Sequence, residues 1–329
     1  MADHLNWGIL ACGSIANRFA EGLKKSKTGT LVASGSRSLE KAQAFAEKHG
    51  GKGYGSYEEV LQDPDVQAVY IATPHQLHAP WTIEAAKAGK AILCEKPFTL
   101  NAVEAEHALQ VVKEHGVFFM EAFMYRCAPQ TVLAKKWVQE GRIGKPLVVE
   151  ANFGFQAGDD WANFRTDNAH GGGGLMDVGT YCVSFMRWVL GEEPSRAAYM
   201  TPLNEKGYDG HGAGSLQFPG GAVGHFGTGI HVNLRNDVTI YGTEGKIEIT
   251  SPWFATNSKM TLTRRDGENE AQEWNGELDL YALEADAVAE YLDAKEAPYM
   301  TIADTLGNMV ALDALRASAN FRFQGEMTR

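Results

Sequence analysis

Cysteine is scarce and long apolar runs are missing. The four cysteines, Cys12, Cys94, Cys127 and Cys182, are scattered with no pair at zinc-site spacing, and a reducing cytoplasm suits them. No stretch of eighteen or more apolar residues occurs, so no transmembrane helix is expected. Met1-Ala2-Asp3-His4 has neither a basic nor an apolar leader region, so no secretory signal is expected. A basic excess is absent too: 30 Lys and Arg against 41 Asp and Glu give a net charge of -11, which argues against a nucleic-acid-binding surface. The histidines do not cluster with carboxylates at ligand spacing, apart from the pair His75 and His78, which reads as cofactor-side or helix-start residues; no metal is expected. Internal repeats and low-complexity tracts are also lacking.

What is present is an ordinary globular composition, 44% hydrophobic and 22% charged over 329 residues, long enough for two domains. The first 122 residues alternate strand and helix. Asn6 to Ala11 reads as a strand and Ile15 to Lys25 as a helix. Between them, Ala11-Cys12-Gly13-Ser14-Ile15-Ala16 is the dinucleotide fingerprint G-x-G-x-x-G/A with Ala in the first position. Gly13 would let the backbone approach a pyrophosphate, and the helix N-terminus at Ser14 and Ile15 would offer it N–H groups. A second strand, Thr30 to Gly35, ends in Ser36-Arg37-Ser38. An acid here would bond ribose hydroxyls; an Arg instead favours a 2′-phosphate, hence NADP over NAD, unless Arg37 is a solvated helix-start residue.

The alternation continues with helix Leu39–His49, a capping-box start at Ser56-Tyr57-Glu58-Glu59, strand Ala68–Ala72, a Thr73-Pro74-His75 turn and helix His78–Ala88. Strand Ala91–Cys94 leads to Glu95-Lys96-Pro97, helix Asn101–His115 and strand Val117–Met120. This predicts a doubly wound parallel sheet, an α/β Rossmann domain over residues 1–122. Thr73, Pro74 and Lys96 then lie at strand carboxyl ends, where open sheets bind ligands. Alone, Lys96 reads more readily as a surface lysine before a turn proline.

Taken together, the Ala11–Ala16 turn, Thr73-Pro74-His75 with His78, and Glu95-Lys96-Pro97 resemble the Gfo/Idh/MocA oxidoreductases, the glucose–fructose oxidoreductase and inositol dehydrogenase superfamily. The resemblance covers essentially the whole chain. It implies cofactor contacts from Cys12, Gly13, Ser14, Ile15, Ser36, Arg37, Thr73, Pro74, His75, His78, Glu95 and Lys96.

Residues 123–329 read as the second domain. Glu121-Ala122-Phe123-Met124-Tyr125-Arg126 resembles the family's substrate-facing junction; Tyr125 and Arg126 are candidate substrate contacts, with an inter-domain salt bridge as the other use of Arg126. Pro129 opens a helix to about Glu140. Val148 to Phe153 alternates as a half-buried strand. A glycine run, Gly171 to Gly174, leads into Leu175-Met176-Asp177-Val178-Gly179-Thr180-Tyr181 and an apolar helix to Leu190. Asp177 and Tyr181, four apart, are expected on one helix face. The family motif here carries His or Tyr at the last position. Tyr181 is similar to glucose–fructose oxidoreductase, dimeric dihydrodiol dehydrogenase and NADP-dependent xylose dehydrogenases. The rest is β-rich, with strands near 215–218, 222–230, 237–241, 246–250 and 259–264, and helices at 281–294 and 302–316. The resemblance implies an α+β domain with a large, mostly antiparallel open sheet. An apolar outer face on such a sheet would make it the interface of a homodimer or homotetramer.

The resemblance implies hydride transfer between NADP(H), or NAD(H), and a sugar-like substrate: an aldose oxidised at C1, or a keto- or anhydrosugar reduced. Lys96 and Tyr181 are the candidate acid–base residues, and Asp177 would orient Lys96 or bind a substrate hydroxyl. Trp161, Arg165 and Phe155 are candidate pocket residues. Two alternatives share the fold: a glycosidase that cycles a bound NAD, and a non-catalytic NADP sensor.

Overall fold

The computed structural model describes residues 4–158, 163–254, 256–276 and 278–328. It divides into two compact units: Met1–Thr99, Val103–Cys127 and Leu278–Thr305 form the first, and Leu100–Ala102, Ala128–Glu277 and Leu306–Arg329 the second.

The chain begins β1 (Leu5–Leu10), α1 (Ser14–Leu23), β2 (Gly29–Gly35), α2 (Leu39–His49), β3 (Lys52–Tyr54), α3 (Tyr57–Gln62), β4 (Ala68–Ile71), α4 (His78–Lys87), β5 (Ala91–Glu95), α5 (Ala102–His115) and β6 (Phe119–Ala122). These strands form one six-stranded sheet, ordered β3-β2-β1-β4-β5-β6 and parallel throughout. Every residue of β4, β5 and β6 is buried, the signature of strands covered on both faces. Phe19 of α1 stacks on Tyr70 of β4 with centroids 3.9 Å apart. Ser56 caps α3, accepting from the Glu59 N–H at 3.2 Å, as its capping box predicts. Because β2 and β4 flank β1 on opposite sides, the strand order reverses there, and the carboxyl ends of β1 and β4 bound the switch-point crevice.

The second unit holds α6 (Pro129–Gln139), β7 (Pro146–Gly154), a π-helical turn at Leu175–Gly179, α7 (Thr180–Leu190), β8 (Arg196–Met200), β9 (His211–Gln217), β10 (Val223–Gly229), β11 (Asp237–Gly242), β12 (Gly245–Thr250), β13 (Ser258–Arg264) and β14 (Asn269–Trp274). These strands form an eight-stranded sheet, ordered β14-β13-β12-β11-β7-β10-β9-β8. Only β7 and β10 pair in parallel. The chain then returns to the first unit with α8 (Leu280–Glu290), and α9 (Ile302–Ser318) follows. One carboxylate ties α8 to the α1–β2 loop: Asp286 Oδ1 accepts from the N–H groups of Lys27 and Thr28 and the hydroxyls of Ser26 and Thr28 at 2.6–3.1 Å.

The inner face of the large sheet is apolar. Val149, Ala151 and Phe153 of β7, Val238 and Ile240 of β11, and Ile247 and Ile249 of β12 are buried, and α7 is buried from Thr180 to Val189. The outer face is mixed rather than uniformly apolar: Val148, Val223 and Tyr241 share it with polar residues. Period-2 alternation sends Glu150, His225, Thr239, Lys246, Glu248, Lys259 and Thr261 outward. Glu150 accepts from the Tyr241 hydroxyl and pairs with His225, each at 3.2 Å, and Lys246 pairs with Glu248 at 2.8 Å. Such a face is wetted, and apolar burial alone does not require it to be covered.

The glycine run is explained by crowding. Gly173 has φ +114°, and a Cβ there would collide with the Asp209 carboxyl; a Cβ on Gly172 would strike the Arg165 carbonyl carbon at 2.6 Å. Gly173→Ala therefore loses about 2 kcal/mol or more of stability, from a forbidden φ and a displaced buried carboxyl. Thermal unfolding would register this as a Tm lower by several degrees; an unchanged Tm would contradict the account.

Candidate active site

In the first unit, the sequence-predicted residues lie at the carboxyl ends of parallel strands, in the turns that follow them or at the start of the next helix. After β1, Ala11 takes φ +80°, the left-handed conformation for which the fingerprint normally supplies glycine, so this turn carries backbone strain. The half-buried Cys12 thiol donates to the Gly35 carbonyl at 3.4 Å, and burial pushes it up to about 11. Gly13 is the N-cap of α1, and nothing lies within 4 Å of where its Cβ would stand. No side chain caps α1 and no acid sits in its first turn, so the N–H groups at Ser14 and Ile15 face a cradle suited to an anion. After β2, Ser36 is buried and accepts from Ser38 N–H at 3.3 Å, while Arg37 is exposed. The β1–α1 turn fits a dinucleotide pyrophosphate, and Arg37 follows the carboxyl end of β2.

The segment around Lys96 is the most heavily braced part of the unit. Lys96 is half-buried, and its peptide bond to Pro97 is cis. Its N–H donates to Glu95 Oε2 at 3.2 Å, while Glu95 Oε1 accepts from the Tyr70 hydroxyl. His78 is fully buried, with its Nδ1 2.9 Å from the Pro97 carbonyl and its Nε2 2.8 Å from the Thr73 carbonyl. Burial pulls the ring down to about 4 against these two acceptors. A neutral imidazole donates to one carbonyl at a time. With a ring nitrogen near each carbonyl, His78 links the Thr73 and Lys96 turns through whichever bond its tautomer makes. His75 is buried beside it, ring centroids 5.7 Å apart, and Pro74 precedes the short 3-10 turn His75–Leu77. Thr73 is 4% exposed, and its hydroxyl has no hydrogen-bond partner among the described residues.

Tyr125 and Arg126 are both 0% exposed. The guanidinium forms an ion pair with Asp304, donates to the Tyr299 carbonyl at 3.2 Å, and reaches the Tyr125 hydroxyl from Nε at 3.2 Å. Asp304 belongs to the same unit, so the ion pair is internal to it. A substrate contact from Arg126 would require that buried pair to open.

In the second unit, Arg165 and Asp177 form a pair not foreseen from sequence: Arg165 Nε donates to Asp177 Oδ1 at 2.8 Å, and Asp177 is 3% exposed. The turn carrying Asp177 is π-helical, so its spacing to Tyr181 spans a widened turn rather than a regular α turn. Tyr181 is 6% exposed and lies edge-on to Phe153 (5.1 Å) and Trp253 (5.8 Å). Phe155 is half-buried, and its N–H donates to the Gly229 carbonyl at 3.1 Å. Trp161 lies outside the described residues.

Sequence reasoning missed Asp209. Its Oδ2 accepts from Leu175 N–H at 2.7 Å and the Tyr199 hydroxyl at 2.6 Å, and its carbonyl accepts from Gly174 N–H at 2.7 Å. Burial raises it to about 6, opposed by those donors. Asp209 thus caps the helical segment that presents Asp177 and Tyr181. Only the Asp209-Gly210 turn pair marks it in sequence, and that signals a turn rather than a buried cap. Glu121 was also missed; it stands at the end of β6 with its carboxyl on Phe98 N–H at 2.9 Å.

Residues 5–123 match the model of an oxidoreductase family with an NAD-binding Rossmann fold, and residues 131–248 match the GFO/IDH/MocA C-terminal domain. The chain is 36% identical over 314 residues to trans-1,2-dihydrobenzene-1,2-diol dehydrogenase of Mus musculus, covering 92% of each. Its fold is similar to an aldose-aldose oxidoreductase from Caulobacter crescentus complexed with glycerol (TM-score 0.88, 27% identity, 96% of this chain and 98% of that one). It is also similar to a 3-ketoreductase from Actinomadura kijaniata in complex with NADP and TDP-benzene (TM-score 0.86, 27% identity, the same coverage). The chain belongs to the Gfo/Idh/MocA family of NAD(P)-binding oxidoreductases.

Proposed function

We propose that the protein is an NADP(H)-dependent oxidoreductase acting on the CH–OH group of a sugar or sugar-like ring bearing neighbouring hydroxyls. The observation that carries this reading is the fixed Lys96 turn at the carboxyl end of β5, in a sheet whose β1–α1 turn is open to a pyrophosphate. Bound NADP supplies the hydride acceptor, or as NADPH the donor. The protein's task is to bind the substrate hydroxyl and manage its proton.

Lys96 and Tyr181 are the proposed acid–base residues. A phenol or an amine can take the hydroxyl proton in oxidation or return it in reduction. Asp177, oriented by Arg165, is the proposed acceptor for a second substrate hydroxyl. The comparisons support these roles in part: variants of the Actinomadura ketoreductase replace a lysine by alanine or glutamate and a tyrosine by phenylalanine, at nearly the sequence separation of Lys96 and Tyr181. Arg37 is the proposed 2′-phosphate contact, since Ser36-Arg37-Ser38 offers no acid to the ribose. Association as a homodimer or homotetramer through the hydrogen-bonding outer face of the large sheet completes the reading; it is measurable by light scattering.

The direct test is absorbance at 340 nm with NADP or NAD against aldoses, inositols and trans-dihydrodiols, and with NADPH against keto- and anhydrosugars. A change with one substrate class, faster with the phosphorylated cofactor, is expected. A flat trace with cofactor held tightly would favour a redox-cycling glycosidase or a sensor. Lys96→Ala and Tyr181→Phe should each lower turnover by about 10²-fold or more; near-normal turnover in both would overturn their assignment. Arg37→Ala should weaken NADP binding about tenfold or more, the worth of a lost charge-assisted phosphate contact, and leave NAD unchanged. Equal loss for both cofactors would assign Arg37 to folding instead.

A further inference from the structure

Glu121 is the acid of the Glu121–Arg126 segment that the proposed chemistry leaves unused. It lies opposite Cys94 in the β5–β6 ladder and is 0% exposed. Its Oε1 accepts Phe98 N–H at 2.9 Å, two residues beyond Lys96. Its Oε2 is buried with no hydrogen-bond partner among the described residues. Thr305, at the start of α9, is near enough to influence the carboxyl, and its Oγ1 is likewise buried with no hydrogen-bond partner among the described residues. A neutral carboxylic acid can accept from Phe98 N–H with its carbonyl oxygen and offer its proton to the Thr305 hydroxyl, which can act as donor or acceptor.

Charge balance points the same way. The charged and titratable groups facing Glu121 are Cys94 from β5, Arg126 from the segment after β6, and Asp304 from α9. Burial pushes the Cys94 thiol well up, so it stays neutral. Arg126 already pairs with Asp304. An ionised Glu121 would leave one negative charge without compensation in a buried cluster, which is costly. Burial raises the carboxyl to about 8; Thr305, Phe98 N–H and Arg126 oppose the rise, and Asp304 adds to it.

We propose that Glu121 is a positioning residue for Lys96 and works as the neutral acid, its carbonyl oxygen holding the Lys96-Pro97-Phe98 turn by Phe98 N–H and its proton bonding Thr305. This rests on the reading of Lys96 as an acid–base residue. Loss of the proton at alkaline pH places an uncompensated charge beneath that turn, so turnover declines as Glu121 ionises.

The sign for stability follows from linkage. The folded carboxyl keeps its proton to higher pH than the unfolded chain, whose glutamates ionise at the ordinary value. The wild type therefore loses stability as pH rises from the ordinary carboxylate range through about 8, and a glutamine at this position does not.

The test uses the full chain with E121Q and E121A. Thermal unfolding across pH should give a Tm advantage of E121Q over wild type that widens up to about pH 8 and then levels. E121A should lose about tenfold or more in turnover with NADPH binding, read by fluorescence, unchanged, as expected when a reacting group is misplaced. E121Q should restore that turnover and abolish the alkaline decline. A Tm gap that does not widen with pH, or an E121Q enzyme as impaired as E121A at neutral pH, would overturn the proposal. Should E121A fail to fold, the two pH series of E121Q and wild type decide. Should the wild type turn over no substrate, the reading of Lys96 fails and the positioning role with it, while the Tm series still judges the proton on Glu121.

Discussion

Three consecutive main-chain groups around Lys96 are tied down from three different elements. The Lys96 N–H goes to Glu95 at the end of β5, the Pro97 carbonyl to His78 at the start of α4, and the Phe98 N–H to Glu121 at the end of β6. All three side chains are buried, so each bond forms where water does not compete and where its loss would leave an orphaned polar group. A flexible lysine thereby gains a rigid base, as a group needs if it is to meet a substrate hydroxyl at a fixed point. Behind this layer, Tyr70 stacks on Phe19 and gives its hydroxyl to Glu95. Glu284 of α8 lies buried in the same cluster, where burial and the nearby Glu95 push its carboxyl well up.

The second unit treats Asp177 in a comparable way. Its helical segment starts at a glycine run, closed by Asp209 on the N–H groups of Gly174 and Leu175, and Thr228 Oγ1 donates to the Gly174 carbonyl at 2.9 Å. The π-helical turn is the local consequence: the chain must pass close to Asp209 and the Arg165 carbonyl before it enters the buried α7. Asp177 is then held by Arg165 and Tyr181 by its ring contacts with Phe153 and Trp253.

Much of this was legible from sequence. Continuous apolar runs such as Ala68-Val69-Tyr70-Ile71 announced buried parallel strands, and α2 spans the Leu39–His49 read from its pattern. The Ala11–Ala16 fingerprint and the Glu95-Lys96-Pro97 turn fall, as read, at the carboxyl ends of β1 and β5. The missed strands are β3, three residues long, β8, with two alanines, and β14, an edge strand of Asn269-Glu270-Ala271-Gln272-Glu273-Trp274; none shows apolar alternation. The outer face of the large sheet is mixed, with Val223 and Tyr241 exposed on the face that carries Glu150 and His225, so the apolar residues of the β-rich half are not confined to the inner face. Asp209, Glu121 and the Arg165–Asp177 pair act through contacts between residues distant in the chain, which no local pattern encodes. The return of α8 to the first unit is of the same kind.

The most direct measurement of the central claim is the fate of the hydrogen on the reacting carbon. Substrate deuterated at that carbon would be turned over with NADP, and the recovered NADPH examined by NMR. The account predicts deuterium at C4 of the nicotinamide, on one face, with none lost to water. Deuterium recovered in solvent, or returned to a product with no net NADPH formed, would contradict it.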